Sequence, residues 1–191
     1  MNAGKMDVGT IARLGLLTAV ALVLGYVEYL IPVTAIPGVK LGLANTVLLY
    51  ALFLLDVKSA VLLMMLKVGL SGLLFGGFAA MLYSLAGGVL SLAVMILVKK
   101  ARGVSVIGVS VCGAAAHNIA QTAVACAVVG VRAALAYLPL LLLAALVTGA
   151  LTGVIAKYAF RGLDPERGKS GKARRERFSG EDEKKPSEKQ G

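Results

Sequence analysis

Long apolar runs separated by short polar or glycine-containing links fill most of the chain up to Phe160. A helix that crosses the ~30 Å hydrocarbon core of a bilayer needs about 20 mainly apolar residues. About six stretches approach that length: Ile11 to Ile31, Leu41 to Leu55, Lys58 to Phe75, Phe78 to Val98, Ile107 to Val131 and Leu135 to Phe160. The pattern predicts an all-α integral membrane protein, a compact bundle of about six transmembrane helices. The second stretch is the shortest, and it is expected to tilt or to continue a partly helical loop. Between the first two runs, Pro32, Pro37 and Gly38 cannot continue a helix. An ordered or re-entrant loop from Pro32 to Lys40 is expected to cap one end of the bundle. The remaining links, Asp56-Val57, Gly76-Gly77, Lys99 to Ser105 and Gly130 to Ala134, are tight, as between antiparallel neighbours.

Composition supports the membrane reading. Hydrophobic residues make up 58% of the 191 positions, and mean hydropathy is +0.84. An ordinary soluble domain holds about 45–50%. Charge is segregated: before Arg161, 10 Lys and Arg face 3 acids, whereas Arg161 to Gly191 holds 10 basic and 7 acidic residues. Two regions follow, a transmembrane bundle over 1–160 and a charged, disordered cytoplasmic tail over 161–191. The tail has Phe178 as its one aromatic, so it offers no base-stacking platform, and contact with solvent or anionic lipid is favoured over nucleic acid. Lysine and arginine in the short loops place the N-terminus, the Lys58 turn, the Lys99 to Arg102 loop and the tail on one face. That face is expected to be cytoplasmic, with both termini inside. The N-terminal run lacks a small-residue cleavage site and reads as an uncleaved first span. Cys112 and Cys126, about 21 Å apart on one helix, read as small buried hydrophobes without a mutual disulfide.

Small residues recur at i, i+4 spacing, as in Gly72 and Gly76, Ser84 and Gly88, and Gly149 and Gly153. In lipid such pairs let backbones approach, since packing drives helix association there. Most of them read as internal packing. The first span, with Gly15, Ala19, Ala21 and Gly25, is the best candidate for docking a partner membrane subunit.

Polar groups interrupt the apolar runs at Glu28, Lys40, Asn45, Lys67, Tyr83, Ser84, His117, Asn118 and Gln121. An ionised group at bilayer depth costs roughly 2.5–3.5 kcal/mol on insertion scales unless it is paired or wetted. His117 and Gln121 share one helix face, and Asn118 is turned about 100° from His117. One reading is a satisfied internal network, with Glu28 pairing Lys67 or Lys40. The other is a shared pocket open to the outside that binds a small molecule, with Lys67 and His117 as the preferred donors to an anionic moiety. Cations outnumber the single carboxylate, so a polar or anionic ligand is favoured. Metal binding is not expected from one histidine, no P-loop is present, and Asp7, Asp56, Asp164 and Asp182 stand apart rather than clustered to hold magnesium on a diphosphate. No cofactor and no catalytic residue are assigned.

Three runs occur in order: Pro37-Gly38-Val39-Lys40-Leu41-Gly42-Leu43-Ala44-Asn45, then Leu82-Tyr83-Ser84-Leu85-Ala86-Gly87-Gly88, then Gly108 to Val111 leading to Ala116-His117-Asn118-Ile119-Ala120-Gln121. Together they resemble the bacterial family labelled both Gx transporter and heptaprenyl diphosphate synthase component I. That family looks like a relative of the S components of energy-coupling factor transporters, six-helix bundles that bind a vitamin beneath an outer loop. The resemblance implies a plasma-membrane substrate-binding subunit that docks, through the small face of its first helix, onto an energy-coupling subunit with separate ATPases. The synthase label implies instead an accessory subunit for a prenyl synthase catalytic chain. A scaffold in a flavin- or quinone-linked membrane assembly is a third reading.

Overall fold

The computed structural model describes residues 8–30, 42–101 and 103–163. The proline loop, Lys40 and the charged tail beyond residue 163 lie outside the described residues. Six α-helices follow one another: α1 (Val8–Leu30), α2 (Leu43–Leu54), α3 (Val57–Ser71), α4 (Gly77–Lys100), α5 (Val106–Val129) and α6 (Val131–Leu163). A π-helical turn, Gly72–Gly76, joins α3 to α4. Among the described residues there is no strand.

Four helical stretches are long and apolar enough to cross a membrane: Val8–Leu30, Val57–Lys100, Val106–Val129 and Val131–Gly162. The 44-residue stretch from Val57 to Lys100 would be about 66 Å long if straight, twice the hydrocarbon thickness. It does not run straight: α3 packs against α4, and Gly77 at the junction takes φ +72°. α2 has 12 residues, about 18 Å of helix, and falls short of a full crossing.

Local chemistry sets the helix ends. Asp56 precedes α3, and its carboxylate accepts the Ser59 N–H at 2.6 Å, closing an N-cap. Ser105 does the same for α5 through the Gly108 N–H at 3.1 Å. The link from α5 to α6 is shorter than the run from Gly130 to Ala134 suggests. Gly130 alone separates the two helices, at φ +91°, a conformation that suits glycine.

α1, α2 and α3 pack mutually, and α4 packs on α5. The interior contains Leu49, Leu52, Leu63 and Val109, all fully buried. α5 and α6 meet backbone to backbone: a Cβ on Gly149 would stand 2.9 Å from the Val111 Cα, and one on Gly153 would stand 2.7 Å from the Ile107 Cα. Such an approach admits no side chain. At one end, Tyr26 and Tyr29 of α1 stack against Phe75 in the π turn, with ring centroids 5.5 and 6.2 Å apart.

The chain divides into two units, Met1–Ala156 and Lys157–Gly191, slightly before the division expected at residue 160. In the second unit the described residues complete α6, and the Arg161 guanidinium lies 5.8 Å from the Tyr158 ring centroid.

Candidate functional site

Within the first unit, α1 to α6 enclose a cavity of about 360 Å³. Glu28, Asn45, Lys67, Ser84, His117, Asn118 and Gln121 all line it. The polar groups that interrupt the apolar runs therefore converge from α1, α2, α3, α4 and α5 on one void. Leu48, Leu49, Met64, Val68, Phe75 and Met95 supply apolar wall, and Ser91, Ser110, Thr148 and Thr152 add hydroxyls.

Several of these groups also hold the wall together. The Glu28 carboxylate accepts the Leu43 N–H at 2.5 Å. α2 starts from Gly42 at φ +78° without a side-chain cap of its own, so a carboxylate fifteen residues back serves one of its orphan donors. Lys67 donates to the Asn45 Oδ1 at 2.8 Å, tying α3 to α2. Asn118 donates from Nδ2 to the Leu141 carbonyl at 2.7 Å, tying α5 to α6 just beyond the internal Pro139. Thr122 returns its hydroxyl to the Asn118 carbonyl at 2.8 Å.

His117 is seated by a glycine. A Cβ on Gly87 would lie 2.6–2.8 Å from the imidazole Cε1, Nδ1 and Nε2, so the ring rests directly on the α4 backbone. Gln121 follows one turn along the same helix face. The cavity thus combines a cationic donor, an imidazole, a carboxamide and hydroxyls with a hydrocarbon lining. This is the usual make-up of a site for a small molecule with one polar end.

Three sequence expectations are placed differently. Tyr83 does not line the cavity, because adjacent helix positions are turned about 100° apart and Ser84 takes the inward direction. Ala21 is 1% exposed, and Gly25 lines the cavity. Gly15 and Ala19 remain exposed, so the small face of α1 is split between inside and outside rather than forming one stripe. Cys112 and Cys126 are both free thiols, and Cys112 is exposed. Among the described residues no cluster of His, Cys, Asp and Glu is arranged to hold a metal.

Gly113 and the hydroxyls of α6 were not among the residues singled out from sequence, and Gly87 and Gly88 entered only as packing and motif positions. The adjacent pair Gly87-Gly88 in an apolar helix was the available signal for their seating role. Comparison with curated proteins and with solved structures found no match. The family model described as heptaprenyl diphosphate synthase component I matches residues 17–159.

Proposed function

Because this chain belongs to the heptaprenyl diphosphate synthase component I family, we propose that it is a membrane-embedded binding subunit that holds a prenyl diphosphate for a separate synthase chain. The observation that carries this reading is the shared cavity, in which Lys67 and His117 stand among apolar walls from α2, α3 and α4. An ammonium and an imidazole suit the diphosphate oxygens, and the hydrocarbon wall suits an isoprene tail. Gln121, Ser84 and Asn118 complete the polar end. Glu28 and Asn45 keep α2 in place as one wall of the site. The aspartates of the chain stand apart from one another, so prenyl transfer is assigned to the partner.

In this reading all six helices belong to the membrane bundle, with α2 and the α3–α4 hairpin completing it. The protein resides in a bacterial plasma membrane with both termini on the cytoplasmic side. The test is equilibrium binding of radiolabelled dimethylallyl diphosphate to the full chain in mild detergent, alongside synthase assays with and without this chain. Lys67→Met is expected to weaken binding by about tenfold or more, the range for loss of a charge-assisted hydrogen bond. Unchanged synthase rate and product length on adding the chain, together with no retained diphosphate, would count against the proposal.

One observation favours a second reading, uptake as an S-component-like subunit. Gly15 and Ala19 leave a small exposed face on α1 that suits close docking of a partner transmembrane helix. Co-purification with membrane-coupled ATPases, rather than with a synthase, separates the two.

A further inference from the structure

Three cavity-lining side chains, His117, Met64 and Met95, sit in recesses that exist because the facing residue is glycine. The His117 ring lies on Gly87, where an added Cβ would approach within 2.6 Å. Met64 lies on Gly88, whose Cβ would stand 3.0 Å from its Sδ and 3.2 Å from its Cγ. Met95 lies on Gly113, whose Cβ would stand 2.6 Å from its Cγ and 2.8 Å from its Sδ. All three side chains line the same cavity. Met64 and Met95 are only 4% and 3% exposed, packed on their other sides. A methyl group added behind any of the three would displace it, and the cavity is a space that all three border.

Resting on the prenyl diphosphate reading, we infer that Gly87, Gly88 and Gly113 are specificity-determining residues: they set how long an isoprenoid the cavity accepts. The volume of about 360 Å³ lies at the small end of ligand sites, which run roughly 300–1,000 Å³. The occupant expected at this end of the range is a short prenyl diphosphate of substrate size.

The experiment is a binding series on the full chain in detergent with dimethylallyl, geranyl and heptaprenyl diphosphates, comparing wild type with Gly87→Ala, Gly113→Ala and the enlarging variant Met95→Ala. Wild type is expected to bind the two short probes and to reject heptaprenyl diphosphate. Each glycine variant is expected to weaken geranyl diphosphate by about tenfold, the effect of misfitting a methylene in a pocket, while dimethylallyl diphosphate changes little. Met95→Ala relaxes the limit toward the longer probe and does not depend on a glycine variant folding. Wild-type binding with the same length preference in all variants would overturn the role of the glycines and leave the binding proposal standing. Saturable heptaprenyl diphosphate binding that requires Lys67 would overturn the size limit. Binding of none of the probes would remove the prenyl diphosphate reading, and this inference with it.

Discussion

Lys99, in the last turn of α4, donates to the Leu52 carbonyl in the last turn of α2 at 2.5 Å, and its ammonium lies 5.0 Å from the Phe53 ring centroid. α2 has no acidic residue in its first turn and no basic residue in its last. Glu28 supplies the anion at its start, and Lys99 supplies the cation at its end. The macrodipole of this short helix is thus compensated at both ends by charges from its neighbours. The contact also places the ends of α2 and α4 at the same level of the bundle, as the loop charges suggest.

Removing that cation should loosen α2. Lys99→Met is expected to cost about 1 kcal/mol, from the lost dipole and hydrogen-bond terms together. Lys99→Arg should retain most of the stability. Thermal unfolding in detergent reads both, and equal melting of Lys99→Met and wild type would show that the contact contributes nothing.

Glu28 should matter through its acceptor oxygen more than through ligand contact. Glu28→Gln keeps an oxygen for the Leu43 N–H, whereas Glu28→Ala leaves that N–H open, a loss of about 1–2 kcal/mol. The expected order of stability is wild type, then Gln, then Ala. If Gln and Ala lose equally, the negative charge rather than the hydrogen bond is the active element.

Acid should weaken the start of α3. The Asp56 carboxyl is held below its ordinary value of 3.8 by hydrogen bonds from Ser59, first from the side chain and then from the backbone, with Lys58 helping. A depressed folded pKa means that the contribution is present above 3.8 and is lost as pH falls through the lower folded value. The group is exposed, so the effect is small and screened by salt. Asp56→Asn should flatten this acid limb in a pH series of melting temperatures; an unchanged limb would remove Asp56 from the account.

The α5–α6 contact should tolerate no added carbon. Opposite Gly149 and Gly153 stand backbone Cα atoms, which cannot swing aside as a methionine can. Gly153→Ala is expected to cost about 1–3 kcal/mol, the range for overpacking. Gly162→Ala, with nothing within 4 Å of its Cβ, serves as the control. Similar losses for both would point to a general effect of glycine replacement.

The parts of this molecule that sequence made legible are those governed by local composition. Apolar run length located every helix within a few residues, because burial in lipid acts on each run separately. The cost of isolated polar groups in hydrocarbon grouped Glu28, Asn45, Lys67, His117 and Gln121 before any geometry was known. What stayed hidden depends on long-range register. Lys99 reads as a loop charge, and nothing local says that it reaches Leu52 across 47 positions. Glu28 reads as a member of a polar network, and nothing local says that its carboxylate accepts the Leu43 N–H fifteen positions on. The seating of His117 on Gly87 needs the relative rotation of two helices, which hydropathy does not carry. The split of Ala21 and Gly25 from Gly15 and Ala19 has the same origin.

The junction at Gly76 and Gly77 has a mechanical consequence. It joins α3, which packs with α1 and α2, to α4, which packs on α5, and the cavity is lined from both sides of this seam. The α5–α6 contact and the Asn118 tie brace the far side, so the two sides are expected to part like covers about a spine when a molecule enters. A cross-link placed across that seam should trap bound dimethylallyl diphosphate and bar fresh probe; unhindered exchange would mean that the spine does not bend.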